Sequence, residues 1–183
     1  RTAWFKMVYW LSERLLDGQT VITPRMAELV GVRPEQLWGI WPAGGDVESF
    51  AAAREGRRWP ASGKPVHMVY VGVFLEKRNL LPLVRAVARA SDGGMSFVLS
   101  LYGDGPLRPE LEALAAESGG AVRVERPVPH ERVPDILAQA QVGVTSLPEP
   151  GDAKYEASSP IKLFEYMAAG MPVLATDSKC HTD

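Results

Sequence analysis

The residues in this sequence best suited to chemistry sit at a few joints between apolar runs. Lys77 and Arg78 are adjacent cations that follow a β-branched run and precede a helical one. A phosphate at such a junction meets both side chains and the partial positive end of the helix. The same dipole disfavours cations at a helix start, so a solvated Lys-Arg pair fits the spacing as well. The second joint is Gly103-Asp104-Gly105-Pro106. Its glycines permit close backbone approach, Asp104 can cap, and Pro106 suits the first turn of a helix. No third glycine follows where the dinucleotide fingerprint needs one, so an ordinary strand-to-helix turn also explains it. The third joint is Ser158-Ser159-Pro160-Ile161-Lys162, with Glu165 one turn on and Gly170 and Pro172 as a stop. Ser159 is suited to cap a helix that starts at Pro160, leaving the amides of 158–161 open to an anion. Lys162 adds a full charge in that turn. Glu165 can accept both hydroxyls of a ribose. It can equally pair with Lys162 three residues earlier, for about 0.2–0.5 kcal/mol.

These joints need elements to hold them. Residues 68–73 form a β-branched apolar run, and 80–90 place Leu80, Leu83, Val84 and Val87 at helical spacing. The pattern repeats through a strand at 95–102, a helix at 107–116, a short strand at 122–125 and a helix at 132–140. It ends with a strand at 142–147, a long polar loop over 148–159, a helix at 161–169 and a strand at 173–175. Apolar strands alternating with amphipathic helices predict an α/β fold: a Rossmann-like parallel sheet with helices on both faces. Such sheets bind ligands beyond the carboxyl ends of their strands, which is where all three joints fall.

The first 41 residues read differently. An aromatic helix over 4–16, with Trp4, Phe5, Tyr9 and Trp10, stops at Asp17-Gly18. A short strand follows at 20–23, then a helix capped by Thr23 with Pro24 at its first position. Trp38-Gly39-Ile40-Trp41 leads into Pro42-Ala43-Gly44-Gly45-Asp46, a turn and domain boundary, and 56–65 reads as surface loop. The aromatic helix is interrupted by Lys6, Ser12, Glu13 and Arg14. That makes it an amphipathic helix packing on another domain, with an interfacial membrane helix as the alternative. No apolar run reaches the ~20 residues needed to cross a bilayer.

Composition narrows the classes. The net charge is −2, from 20 basic and 22 acidic residues, and no basic tract interleaved with aromatics suggests nucleic acid. Cys180 is the sole cysteine, and His67, His130 and His181 are scattered. An internal disulfide is thereby impossible and no metal site is assigned.

The ordered set Pro42-Ala43-Gly44-Gly45-Asp46…Phe50, Gly72…Arg78-Asn79, Gly103-Asp104-Gly105-Pro106-Leu107-Arg108 and residues 159–173, from Ser159 through Lys162 and Glu165 to Val173, resembles the family 4 glycosyltransferases. The likeness covers roughly residues 18–183, and the last motif is the specific one. It implies a GT-B fold, in which two Rossmann-like domains face across a cleft. Residues 42–183 would be the donor-binding domain, incomplete at its C-terminus. Residues 1–41 would be a remnant of the acceptor-side domain and its linker. The implied activity is transfer of a hexose from a nucleoside-diphosphate sugar with retention of configuration, the chain alone being inactive. The acceptor is open: a saccharide, a lipid or a small molecule. No cofactor or metal is expected, so basic side chains and a helix end must stabilise the leaving diphosphate. The implied setting is cytoplasmic, with room for peripheral association at the inner membrane face.

Residue by residue, the resemblance gives Glu165 the ribose hydroxyls and gives Arg78, helped by Lys77, the diphosphate. Ser158, Ser159, Pro160, Ile161 and Lys162 would lie near the phosphates or sugar. Val128 and Pro129 would line the base, and Gly72, Gly103, Asp104 and Gly105 would shape the floor. Two positions depart from the usual pattern: Val73 stands where many members have Arg, and Ala157 where many have Glu. They leave open a GT-B sugar-nucleotide epimerase, or a nucleotide-sugar-binding module without turnover.

Overall fold

The computed structural model describes residues 2–55, 57–92, 96–147 and 151–182. Gly56, Met95 and 148–150, which entered the expectations above, lie outside the described residues.

Chain order begins with α1 (Thr2–Leu15), β1 (Gln19–Val21), α2 (Pro24–Val30) and β2 (Leu37–Ile40). α2 follows the expected chemistry at both ends: Thr23 accepts from the Met26 amide, Pro24 opens the helix and Gly31 closes it in the left-handed region at φ 75°. β1 and β2 pair in parallel as a two-stranded sheet of their own.

Next come α3 (Val47–Glu55), β3 (Val66–Val71), α4 (Leu80–Asp92), β4 (Phe97–Tyr102), α5 (Arg108–Glu117), β5 (Val122–Glu125), α6 (Val133–Ala138) and β6 (Val142–Thr145). The chain continues through α7 (Ala153–Glu156), α8 (Ile161–Ala168), β7 (Val173–Ala175) and α9 (Lys179–Thr182). β3 to β7 form one parallel sheet in the order β5-β4-β3-β6-β7. The expected α/β architecture is therefore present.

The two faces of the sheet can be read from β3. Met68 and Tyr70 point to a core built with Leu80, Val84, Val87, Leu99, Leu101 and Leu111 from β4, α4 and α5. Val69 points to a second core with Phe50, Ala53, Val133, Leu137 and Tyr166 from α3, α6 and α8. This two-residue alternation between covered faces is what a doubly covered strand requires.

Several boundaries differ from expectation. α8 starts at Ile161, so Pro160 rather than Ser159 occupies the cap position, and no side chain caps that end. α5 begins at Arg108 with Pro109 in its first turn, which leaves Pro106 ahead of the helix. α3 has a narrow apolar stripe, essentially Phe50 and Ala53, and gives little periodic signal.

Candidate functional site

The strand order reverses between β3 and β6, because the chain leaves β3 toward β4 and β5 while β7 lies beyond β6. A crevice opens at such a switch point at the carboxyl ends of the strands. β3 and β6 pair only through Met68–Val142 and Val69–Gly143. Past that register the buried Tyr166 hydroxyl fills the gap, accepting from the Val71 amide at 3.3 Å and lying 3.3 Å from the Val144 carbonyl oxygen. A Cβ on Gly143 would lie 2.5 Å from the Tyr166 ring, so the ring rests directly on that glycine.

Two loops flank the crevice. After β3 the chain passes Gly72, makes a 3-10 turn at Glu76–Arg78 and bends at Asn79, whose φ is 49°. The Asn79 side-chain Nδ2 donates to the Leu147 carbonyl at 3.0 Å, and the Ser146 hydroxyl donates to the Arg78 carbonyl. The Lys77-Arg78 segment is thus tied to the end of β6. On the other side, a Cβ on Gly103 would lie 1.8 Å from the Gly72 carbonyl oxygen, and one on Gly105 2.5 Å from that of Phe74. Neither position can take a side chain without moving backbone. These glycines press the β4–α5 turn beneath the β3 loop. Asp104 is turned to the Gly105 amide and to Arg108, which hold its carboxyl below the usual range.

The cations are placed unequally. The Lys162 ammonium lies 3.7 Å from the centre of the Tyr70 ring and 2.8 Å from where a Gly72 Cβ would stand. Burial, with Arg78 nearby, drives its pKa down to about 7; Glu165 opposes the shift. The Arg78 guanidinium faces the Tyr155 ring at 5.6 Å. Among the described residues, neither Arg78 nor Lys162 has a carboxylate within ion-pair distance. Lys77 differs, because its ammonium bonds Asp152 at 2.9 Å, which raises its pKa.

Glu165 is buried one turn into α8, just past its midpoint, and its carboxylate meets His130 Nε2 at 2.8 Å. It therefore makes no ion pair with Lys162. The His130 ring stands edge-on to Phe50, 5.9 Å between centres. His130 follows Val128 and Pro129 directly, and Val128 packs on the second core. The serines do other work than capping. Ser159 Oγ accepts from the Ala43 amide at 2.9 Å, and Ser158 Oγ donates to the Tyr155 carbonyl at 2.7 Å. Ile161 remains exposed at the helix start. A cavity of about 310 Å³ opens beside this turn, lined by Thr23, Arg25, Glu156, Ser158 and Phe164 among others.

The site thus brings together Gly72, Arg78, Lys162 and Glu165, with Lys77 diverted to Asp152. Sequence spacing missed Tyr70, His130 and Tyr155. The local signal available for His130 was its position directly after Val128 and Pro129, the pair expected to line the base. Among the described residues no group of three His, Cys, Asp or Glu is arranged to hold a metal.

Comparison with known proteins agrees with the fold. Residues 65–182 match the family model described as glycosyl transferases group 1. Over 174 residues the chain is 31% identical to a 2-deoxystreptamine glucosyltransferase of Streptomyces kanamyceticus, covering 88% of this chain and 43% of that one. It superimposes on the sucrose-phosphate synthase of Thermosynechococcus elongatus with a TM-score of 0.64 and 24% identity, covering 94% of this chain and 44% of the other. The pneumococcal O-GlcNAc transferase GtfA, solved with UDP and GlcNAc, gives a TM-score of 0.64 at 17% identity, with coverages of 89% and 30%. The chain spans less than half the length of each of these three proteins.

Proposed function

Because the chain belongs to the group 1 glycosyl transferases, we propose that it binds a nucleoside-diphosphate sugar at the β3–β6 crevice, as the donor side of a sugar transfer that retains configuration. The observation that carries this reading is the pair Arg78 and Lys162. Both cations sit at the crevice without a carboxylate partner among the described residues, each facing an aromatic ring instead. A buried ammonium without a counter-ion is costly unless a ligand supplies the charge.

In this reading the diphosphate lies between Arg78, Lys162 and the first amides of α8. The charge that builds on the leaving diphosphate is met by those groups, and the Ser146 and Asn79 bonds fix the backbone at Arg78 in advance. Glu165 accepts the ribose hydroxyls. Val128, Pro129 and His130 border the base. Residues 1–41 belong to the acceptor-side unit, in keeping with the separate β1–β2 sheet. The acceptor is a saccharide, a lipid or a small molecule.

The test is Arg78→Ala. It should weaken binding of a nucleoside diphosphate by about 1.5–3 kcal/mol, the range for hydrogen bonds to charged groups, and leave the free nucleoside unaffected. Equal losses for both ligands would remove the diphosphate from Arg78.

A further inference from the structure

α7 is only four residues long, yet it is held on both sides. At its start Asp152 takes Lys77 at 2.9 Å, and the Tyr155 ring lies 5.8 Å from the Lys77 ammonium and 5.6 Å from the Arg78 guanidinium. At its end Glu156 pairs with Arg25 at 3.1 Å, and the Ala157 carbonyl accepts from the Thr23 hydroxyl at 2.8 Å. Of the two neighbouring cations after β3, one is therefore neutralised by a carboxylate and the other, among the described residues, is not.

We infer that Asp152 is a displaceable counter-ion of Lys77, and that the diphosphate of the donor takes Lys77 away from it, so that α7 acts as a latch on the anion site. The inference rests on the donor reading given above. Three features make the exchange cheap. The pair is partly exposed, with side-chain exposures of 63% for Lys77 and 31% for Asp152, and such pairs contribute little. Lys77 carries a compact charge on a flexible stem. It is a neighbour of Arg78 at the Tyr155 ring, both lying within 6 Å of the same ring centre. A diphosphate already held by Arg78 presents more negative charge to Lys77 than a single carboxylate does, and it forms charge-assisted bonds. Asp152 is thus a positioning residue: it holds Lys77 off an empty site and competes with the ligand for it.

This predicts a gain on mutation, which a purely structural role would not produce. Asp152 Oδ1 accepts from the Lys154 amide, and asparagine can keep that bond while removing the charge. Calorimetric titration with UDP, ADP and GDP should show Asp152→Asn binding whichever diphosphate the wild type prefers about two- to fivefold more tightly. The gain should shrink at high salt. Asp152→Ser, also a good cap without charge, should behave alike. In a Lys77→Gln background Asp152→Asn should bring no gain. Equal or weaker binding by folded Asp152→Asn and Asp152→Ser, or a gain that survives Lys77→Gln, would overturn the latch while leaving the donor site standing. Wild-type binding of none of the three diphosphates would overturn the donor reading and this inference with it.

Discussion

At the scale of single residues the account turns on two α8 side chains one turn apart. Glu165 is buried and held by His130 on the side where the ribose is proposed to lie. Glu165→Ala should weaken nucleotide binding by about 1.5–3 kcal/mol through lost charge-assisted bonds. A folded variant with unchanged affinity would remove the ribose from Glu165. Lys162 has a pKa of about 7, against 10.5 for an exposed lysine, with burial as the main cause. Between those values the unfolded chain holds the proton and the folded chain does not, so stability should rise with pH across that window. An anion beside Lys162 favours its charged form. Diphosphate binding at pH 8 should therefore take up protons, and affinity should fall as pH rises above about 7. Titration in buffers of different ionisation enthalpy reads this directly, and Lys162→Met should abolish the uptake. Uptake unchanged in that variant would show that another group carries it.

At the scale of elements, the site depends on ties that run between secondary structures. Arg57 is the clearest case. Its guanidinium donates to the carbonyls of Leu137, Ala140 and Ala169, at 3.3, 2.9 and 2.6 Å, joining the ends of α6 and α8. Arg57→Ala leaves those carbonyls without their donor and should lower stability by about 2–3 kcal/mol in chemical denaturation. A loss below half a kcal/mol would mean that water replaces the guanidinium. Nothing in the sequence marks Arg57, which sits in a stretch read only as charged loop. The legible features were those carried by short-range patterns. The Thr23-Pro24 helix start, the limits of β5 and β7, and the run of β3 to β7 with their helices all follow from periodicity and turn chemistry. The cap of α8 and the partner of Glu165 do not. Ser159 looks like a cap, yet its hydroxyl is claimed by the Ala43 amide, 116 residues away in the chain. Glu165 finds His130 across the crevice, 35 residues away, in preference to Lys162 in its own helix. Local spacing cannot see either contact.

At the scale of the whole molecule, the parallel sheet explains why residues so far apart form one site. Order reversal between β3 and β6 gathers the loops after both strands at one edge, and the Gly103–Gly72 approach closes the floor. The N-terminal βαβ unit is tied to the same edge through Arg25–Glu156 and Thr23–Ala157, and the segment that follows it through Ala43–Ser159. Among the described residues no helix is long and apolar enough to cross a membrane. The central claim is that the β3–β6 crevice is a nucleoside-diphosphate site. The most direct measurement is calorimetric titration of this chain with UDP, ADP, GDP and their sugar conjugates, without added metal. The account predicts saturable binding with preference for one base. A folded chain that binds none of these ligands would contradict it.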